Sequence, residues 1–138
     1  MVEDGYVVRA VGRVESPLTD PEAAPKQGDE GAPDCTVVFT PEVAEALRDV
    51  APGTELILLT WLDRARRDVL SVHPRGDVTR PSTGVFSTRS PHRPNPIGLH
   101  RVTVLAVDGT RLRVRGLEAL DGTPVLDAKP VLGGIDER

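Results

Sequence analysis

The stretch RSPHRPNPIG, residues 89–98, gathers two arginines, a histidine, three prolines and the only asparagine of the chain. Arg89 and Arg93 can hold an anion or stack on a flat ring. Asn95 offers both a donor and an acceptor, and His92 can move a proton near neutral pH. Pro91, Pro94 and Pro96 hold φ at about −65° and push Ser90, Arg93 and Asn95 toward extended geometry. A loop stiffened in this way loses little further freedom when it binds. Gly98 permits close approach of a ligand or a neighbouring strand. Read alone, the segment serves equally well as a rigid connector.

Residue usage tilts the reading toward binding. The chain has 17 Lys and Arg together, of which only Lys26 and Lys129 are lysines, and Gln27 and Asn95 are its only side-chain amides. All four fall in proline-flanked, non-repetitive segments: APKQG, the 89–98 loop and LDAKP.

Other chemistries are absent. No Gly-rich phosphate loop or dinucleotide fingerprint occurs, and no G-x-S-x-G elbow marks a nucleophile. His73, His92 and His100 are scattered, with Cys35 far from them, so no metal site is expected. A single cysteine forms no intrachain disulfide. No apolar run approaches the roughly 20 residues of a membrane span. The start, MVEDGYVVRA, lacks a signal peptide's basic and apolar regions. A cytoplasmic protein with no membrane contact is expected. The net charge of −4 excludes a basic footprint over the whole domain. Residues 64–101 nevertheless concentrate arginine, either as a local basic surface or as solvated side chains.

The elements that must position this loop are short and mostly extended. YVVRAVGRVES (6–16) reads as a strand, PLTDPEAAPKQGDEGAPD (17–34) as a long loop, and CTVVFT (35–40) as a strand. Thr40 as N-cap, Pro41 behind it and Pro52-Gly53 as the stop predict a short amphipathic helix, with Val43, Ala46, Leu47 and Val50 facing inward. ELILLTW (55–61) reads as a central buried strand. RDVLSV (67–72) and VFST (85–88) read as shorter extended pieces. LHRVTVLAV and TRLRVRGL flank Asp108-Gly109, a strong hairpin signal. A two-residue turn there pairs Val107 with Thr110, Leu105 with Leu112 and Thr103 with Val114, and groups Arg111, Arg113 and Arg115 on the opposite face. Short strands, one helix and many turns predict an all-β barrel or a β-rich α+β domain.

GVFSTRSPHRPNPIGL (84–99) and LDGTPVLDAKPVL (120–132) resemble the signature of the TrmO family, also called TsaA-like or YaeB-like. PKQG (25–28) resembles that family's N-terminal segment, and the likeness spans about residues 6–132. The resemblance implies an all-β, single-sheeted antiparallel β-barrel with one short helix. It implies an S-adenosylmethionine-dependent methyltransferase acting on N6 of threonylcarbamoyladenosine at tRNA position 37, as a homodimer with the cofactor near the interface. One domain, residues 1–138, is expected, without the C-terminal tRNA-holding domain that many members carry.

The family's cofactor segments match Pro25, Lys26, Gln27, Asp63, Arg64, Arg89, Leu99, Asp121, Gly122, Thr123 and Pro124. For a base that takes the acceptor's proton, Asp127 and His92 are the candidates. Arg93, Asn95 and Lys129 are the candidates for holding the acceptor, with an Asp127–Lys129 ion pair as the structural alternative. The chain departs from the family pattern at Lys26, Asp63-Arg64 and His92. Two other readings stand beside the tRNA enzyme: a methyltransferase on a small acceptor, and a non-catalytic cofactor-binding domain. A single basic face of Arg66, Arg67, Arg75, Arg80 and Arg93 would mark the first.

Overall fold

The computed structural model describes residues 5–19, 33–73 and 76–133. Its strands are β1 (Gly12–Glu15), β2 (Cys35–Phe39), β3 (Glu55–Trp61), β4 (Ser71–Val72), β5 (Thr83–Gly84), β6 (Ile97–Asp108), β7 (Arg111–Arg115) and β8 (Pro124–Pro130). Six of them close an antiparallel barrel in the order β1-β2-β7-β6-β3-β8, while β4 and β5 form a separate ribbon. The expected single-sheeted β-barrel is the observed fold.

The barrel closes because each strand alternates. Inward residues such as Val14, Val37, Leu58, Leu112, Val114 and Val125 are fully buried and fill the interior, while their neighbours face out. Core aromatics are nearly absent, so β-branched and Leu side chains supply the packing. β3 is central, paired with β6 on one side and β8 on the other. It is not buried on both faces: Leu56, Leu58 and Thr60 point inward, and Ile57, Leu59 and Trp61 are half-buried on the outside. Leu59 stands level with Leu99 of β6 and Asp127 of β8, which puts these three on the outer face.

Several sequence expectations shift. Strand structure begins at Gly12, and Tyr6, Val7 and Val8 ahead of it are exposed. The helix is a 3-10 helix, Pro41–Leu47, and Thr40 makes no side-chain cap. Leu47 is buried and Val43 and Val50 pack on the core, but Ala46 is exposed. The 67–72 strand shrinks to Ser71–Val72, and Val85–Ser87 forms a 3-10 turn in place of an extended piece.

The hairpin turn sits one residue later than expected. Asp108 faces Arg111 and Val107 faces Leu112, so Gly109 and Thr110 are the central residues. Gly109, with φ of 60°, takes the first turn position, where a primed turn demands positive φ. A bulge between Val104 and Ala106 then sets Val104 opposite Val114. Arg111, Arg113 and Arg115 do share the exposed face.

Candidate functional site

Antiparallel pairing brings the end of β3, the start of β6, the end of β7 and the start of β8 to one end of the barrel. The connecting segments meet there around a cavity of about 580 Å³, a size suited to a small organic ligand. Residues 62–65 after β3, 89–93 before β6 and 118–120 after β7 line it, with Leu59, Ile97, Gly98, Leu99, His100 and Thr123 from the strands and their ends.

The 89–98 loop is pinned rather than loose. The Arg93 guanidinium donates to the carbonyls of Val85 and Thr88. The Arg93 backbone N–H donates to the Arg66 carbonyl (3.1 Å), and the Arg66 N–H donates to His92 Nδ1 (3.0 Å). Arg67 lies over the Trp61 ring and donates to the Pro94 carbonyl (2.7 Å) and to Asn95 Oδ1 (2.9 Å). Proline removes donors from this loop; Arg67 reaches in to the Pro94 carbonyl, and Arg93 reaches out from the loop to two carbonyls of the preceding turn.

Beneath the loop lies a buried polar chain. His100 is 5% exposed. Its Nδ1 is 2.7 Å from Glu118 Oε1 and its Nε2 is 2.7 Å from Thr60 Oγ1. Gly98 makes room for it: a Cβ there would fall 2.3 Å from Thr60 Oγ1 and 2.6 Å from His100 Nε2. Gly98 therefore serves the close approach of side chains from its own and the neighbouring strand.

The structure sorts the sequence candidates. Asp63, Arg64, Arg89, His92, Arg93, Leu99 and Thr123 line the cavity. Arg64 donates to the Thr19 carbonyl (3.1 Å), whereas Arg89 has no partner among the described residues. Arg93 Nε is buried without a partner. Asp121, Gly122 and Pro124 do not line the cavity. Asp121 Oδ1 accepts from the Ser16 N–H (3.0 Å) and the Gly122 N–H donates to the Val14 carbonyl (2.7 Å), which ties β8 to β1.

Asn95 is exposed and engaged with Arg67. Asp127 and Lys129 are exposed on β8, with Asp127 Oδ2 3.8 Å from Lys129 Nζ, outside the cavity. That is the ion pair of the structural alternative. Pro25, Lys26 and Gln27 lie outside the described residues.

His92 reaches the cavity in a different role from the one expected. Its Nδ1 lone pair is taken by the Arg66 N–H, so the neutral ring carries its proton on Nε2. It can donate to a ligand but has no lone pair left to act as a base. Sequence reasoning passed over Thr60, His100 and Glu118. The available signal was period two along β6, which puts Gly98 and His100 on the inward face with Val102. Nothing in sequence spacing brings Glu118 to them.

The expected basic face is largely engaged. Arg66 pairs with Asp68 at 2.9 Å and holds that carboxyl below its ordinary range. Arg67 is turned onto the loop and Arg93 onto the carbonyls of the preceding turn, and Arg75 lies outside the described residues. Among the described residues no group of His, Cys, Asp and Glu is placed to hold a metal ion, and no helix is long and apolar enough to cross a membrane.

Residues 13–137 match the family described as the tRNA-methyltransferase O N-terminal domain. Two relatives come from Archaeoglobus fulgidus. One, a probable S-adenosyl-L-methionine-binding protein, is 48% identical over 94% of the chain, which spans only 35% of that relative. The other, an S-adenosyl-L-methionine-binding protein, is 42% identical over 94% of the chain and 92% of its own length. Solved structures agree. A TrmO crystal structure superposes with a TM-score of 0.80 at 30% identity, over 100% of this chain and 60% of that one. TrmO from Pseudomonas aeruginosa gives 0.77 at 30% identity, over 97% and 59%. The chain thus spans about three-fifths of the solved structures it resembles.

Proposed function

The chain belongs to the tRNA-methyltransferase O N-terminal domain family, and on that premise we propose that it is an S-adenosylmethionine-dependent methyltransferase. The acceptor in this reading is N6 of threonylcarbamoyladenosine at position 37 of tRNA. The observation that carries it is the cavity itself: the family's signature loop closes over it, with the Arg89 guanidinium unpaired among the described residues and the buried Arg93 Nε unsatisfied.

The residues present suit this cofactor. Its carboxylate matches Arg89, whose fork has no partner among the described residues. Its ammonium and sulfonium charges match the carboxylate of Asp63, and its adenine matches Leu59, Leu62, Leu99 and Leu120. Lys26 and Gln27 complete the binding segments in the family pattern. The bound cofactor supplies an activated methyl group. The protein's part is then positioning, which provides much of the rate in a displacement of this kind. The pinned loop does this through Arg93, which holds the Val85 and Thr88 carbonyls, and through His92, which offers an N–H to the ligand.

We also infer a cytoplasmic homodimer built on this single barrel domain. The outer row of Ile57, Leu59, Ile97 and Leu99 supports it, since Ile97 and Leu99 are 45% and 47% exposed beside the cavity. A small-molecule acceptor is the second reading. The engaged state of Arg66, Arg67 and Arg93 favours it, because these three cations are committed within the protein and not left to meet a phosphate backbone.

Calorimetric titration with S-adenosylmethionine and S-adenosylhomocysteine tests the cofactor. A methyl-transfer assay on tRNA carrying threonylcarbamoyladenosine tests the acceptor. Binding with transfer is the expected result. Binding without transfer to tRNA moves the acceptor to a small molecule, and absence of binding overturns the reading.

A further inference from the structure

We propose that Glu118 accepts the proton that the acceptor N–H must lose, and that His100 and Thr60 are positioning residues which hold its carboxylate in place; this rests on the methyl-transfer reading above.

With Glu118 ionised and the His100 ring neutral, the hydrogen-bond chain runs in one direction. An ionised carboxylate accepts and cannot donate, so His100 Nδ1 carries the ring proton toward Glu118 Oε1. The lone pair of the neutral ring is then on Nε2, and the Thr60 hydroxyl donates to it. Both ring nitrogens are engaged, so His100, although part of the cavity wall, has no nitrogen left to take a proton from a ligand. Glu118 does line the cavity, half-buried, and its second oxygen has no partner among the described residues. Leu117 and Ala119 on either side are buried in the core and fix the backbone from which it projects. The arrangement is that of a carboxylate oriented by a histidine, with one oxygen held and one presented.

The other candidates are placed less well. His92 has lost its lone pair to the Arg66 N–H, and Asp127 lies outside the cavity. Asp63 lines the cavity but is exposed, and nothing among the described residues orients its carboxylate. Among the described residues the remaining charged side chains on the cavity are Arg64, Arg89 and Arg93, all cations.

The step balances. The acceptor nitrogen forms its bond to the methyl carbon, and the electron pair of the broken carbon–sulfur bond stays on sulfur. The N–H proton passes to Glu118 Oε2. Glu118 returns it to water when the products leave. A positioned base of this kind contributes about 10²–10⁴-fold.

The test compares wild type with Glu118→Gln and His100→Gln, each first checked for a cooperative melt. Glu118→Gln should bind S-adenosylhomocysteine within about twofold of wild type by calorimetry, yet transfer methyl at least about 100-fold more slowly in a single turnover. His100→Gln should slow the single-turnover transfer as well, without loss of S-adenosylhomocysteine binding. Independently of activity, nitrogen-15 NMR of wild type should show the His100 proton on Nδ1.

An Nε2–H tautomer overturns the positioning. Unchanged single-turnover transfer in Glu118→Gln overturns the proton role while leaving the methyltransferase reading intact. Loss of S-adenosylhomocysteine binding in that variant assigns Glu118 to the cofactor and also overturns it. A wild type that transfers methyl to neither modified tRNA nor the free nucleoside brings down the parent reading and this assignment together.

Discussion

Gly98 of β6 lies directly opposite Thr60 of β3, and its missing side chain is what lets the His100 ring reach the Thr60 hydroxyl. Gly98→Ala puts a methyl group into both partners. Either the ring swings away, leaving buried polar atoms unpaired, or the strands separate locally. The expected cost is about 1–3 kcal/mol, read as a lower urea midpoint with an unchanged slope. An unaltered midpoint would show that the polar chain relaxes freely.

Arg89 has no partner to lose among the described residues. Arg89→Ala should therefore melt like wild type while weakening S-adenosylhomocysteine binding by about 1–3 kcal/mol, through loss of a charge-assisted hydrogen bond. Calorimetry decides it, and equal affinity would remove Arg89 from the site.

Arg93 should behave in the opposite way. Its guanidinium serves two carbonyls of the preceding turn, so Arg93→Met should lower stability by about 1–3 kcal/mol before any effect on ligand is considered. Arg93→Lys should recover little of this, since an ammonium is a point donor and not a planar fork. Thermal unfolding of the two variants side by side checks the claim.

Burial raises the Cys35 thiol from 9.0 to about 11, with the Asp34 and Glu118 charges adding to the shift. The folded state holds the thiol proton more tightly than the unfolded chain does. The stability this gives is complete below pH 9.0 and is lost as the pH rises toward about 11. The slope contributed is at most about 1.4 kcal/mol per pH unit. Cys35→Ala should remove that part of the alkaline decline in a pH series of denaturant melts.

A homodimer built on the outer row of β3 and β6 should sediment at twice the chain mass. Ile97→Lys, at the exposed end of that row, should shift it to monomer at micromolar concentration without unfolding it. Wild type that sediments as a monomer removes the dimer.

Period-two alternation made the barrel strands legible, because an inward Val or Leu at every second position is what closes a sheet around a core. The signature loop was legible as a site because prolines and arginines together are poor packing material. What escaped was set by register and by loops. The hairpin slipped by one residue because Asp-Gly and Gly-Thr compete for the same turn, and the bulge beyond Val104 hides the slip. Asp127 looked chemical in the sequence, yet it shares a row with Leu59 and Leu99 on the barrel's outside. Glu118 looked incidental, because its importance comes from a histidine 18 residues away in sequence, on a different element.

The barrel's closure is uneven. β3 meets β6 along its whole length, whereas β1 meets β8 only at Gly12 opposite Val125 and Arg13 opposite Pro124. Asp121 and Gly122 reinforce that narrow seam through Ser16 and Val14. Amides along it should be the first in the barrel to trade hydrogen for deuterium. Thr123 belongs both to the cavity wall and to this seam, through its carbonyl on the Val14 amide. Filling the cavity should therefore slow exchange at Val14, on the far side of the wall from any ligand, making the seam a gauge of occupancy.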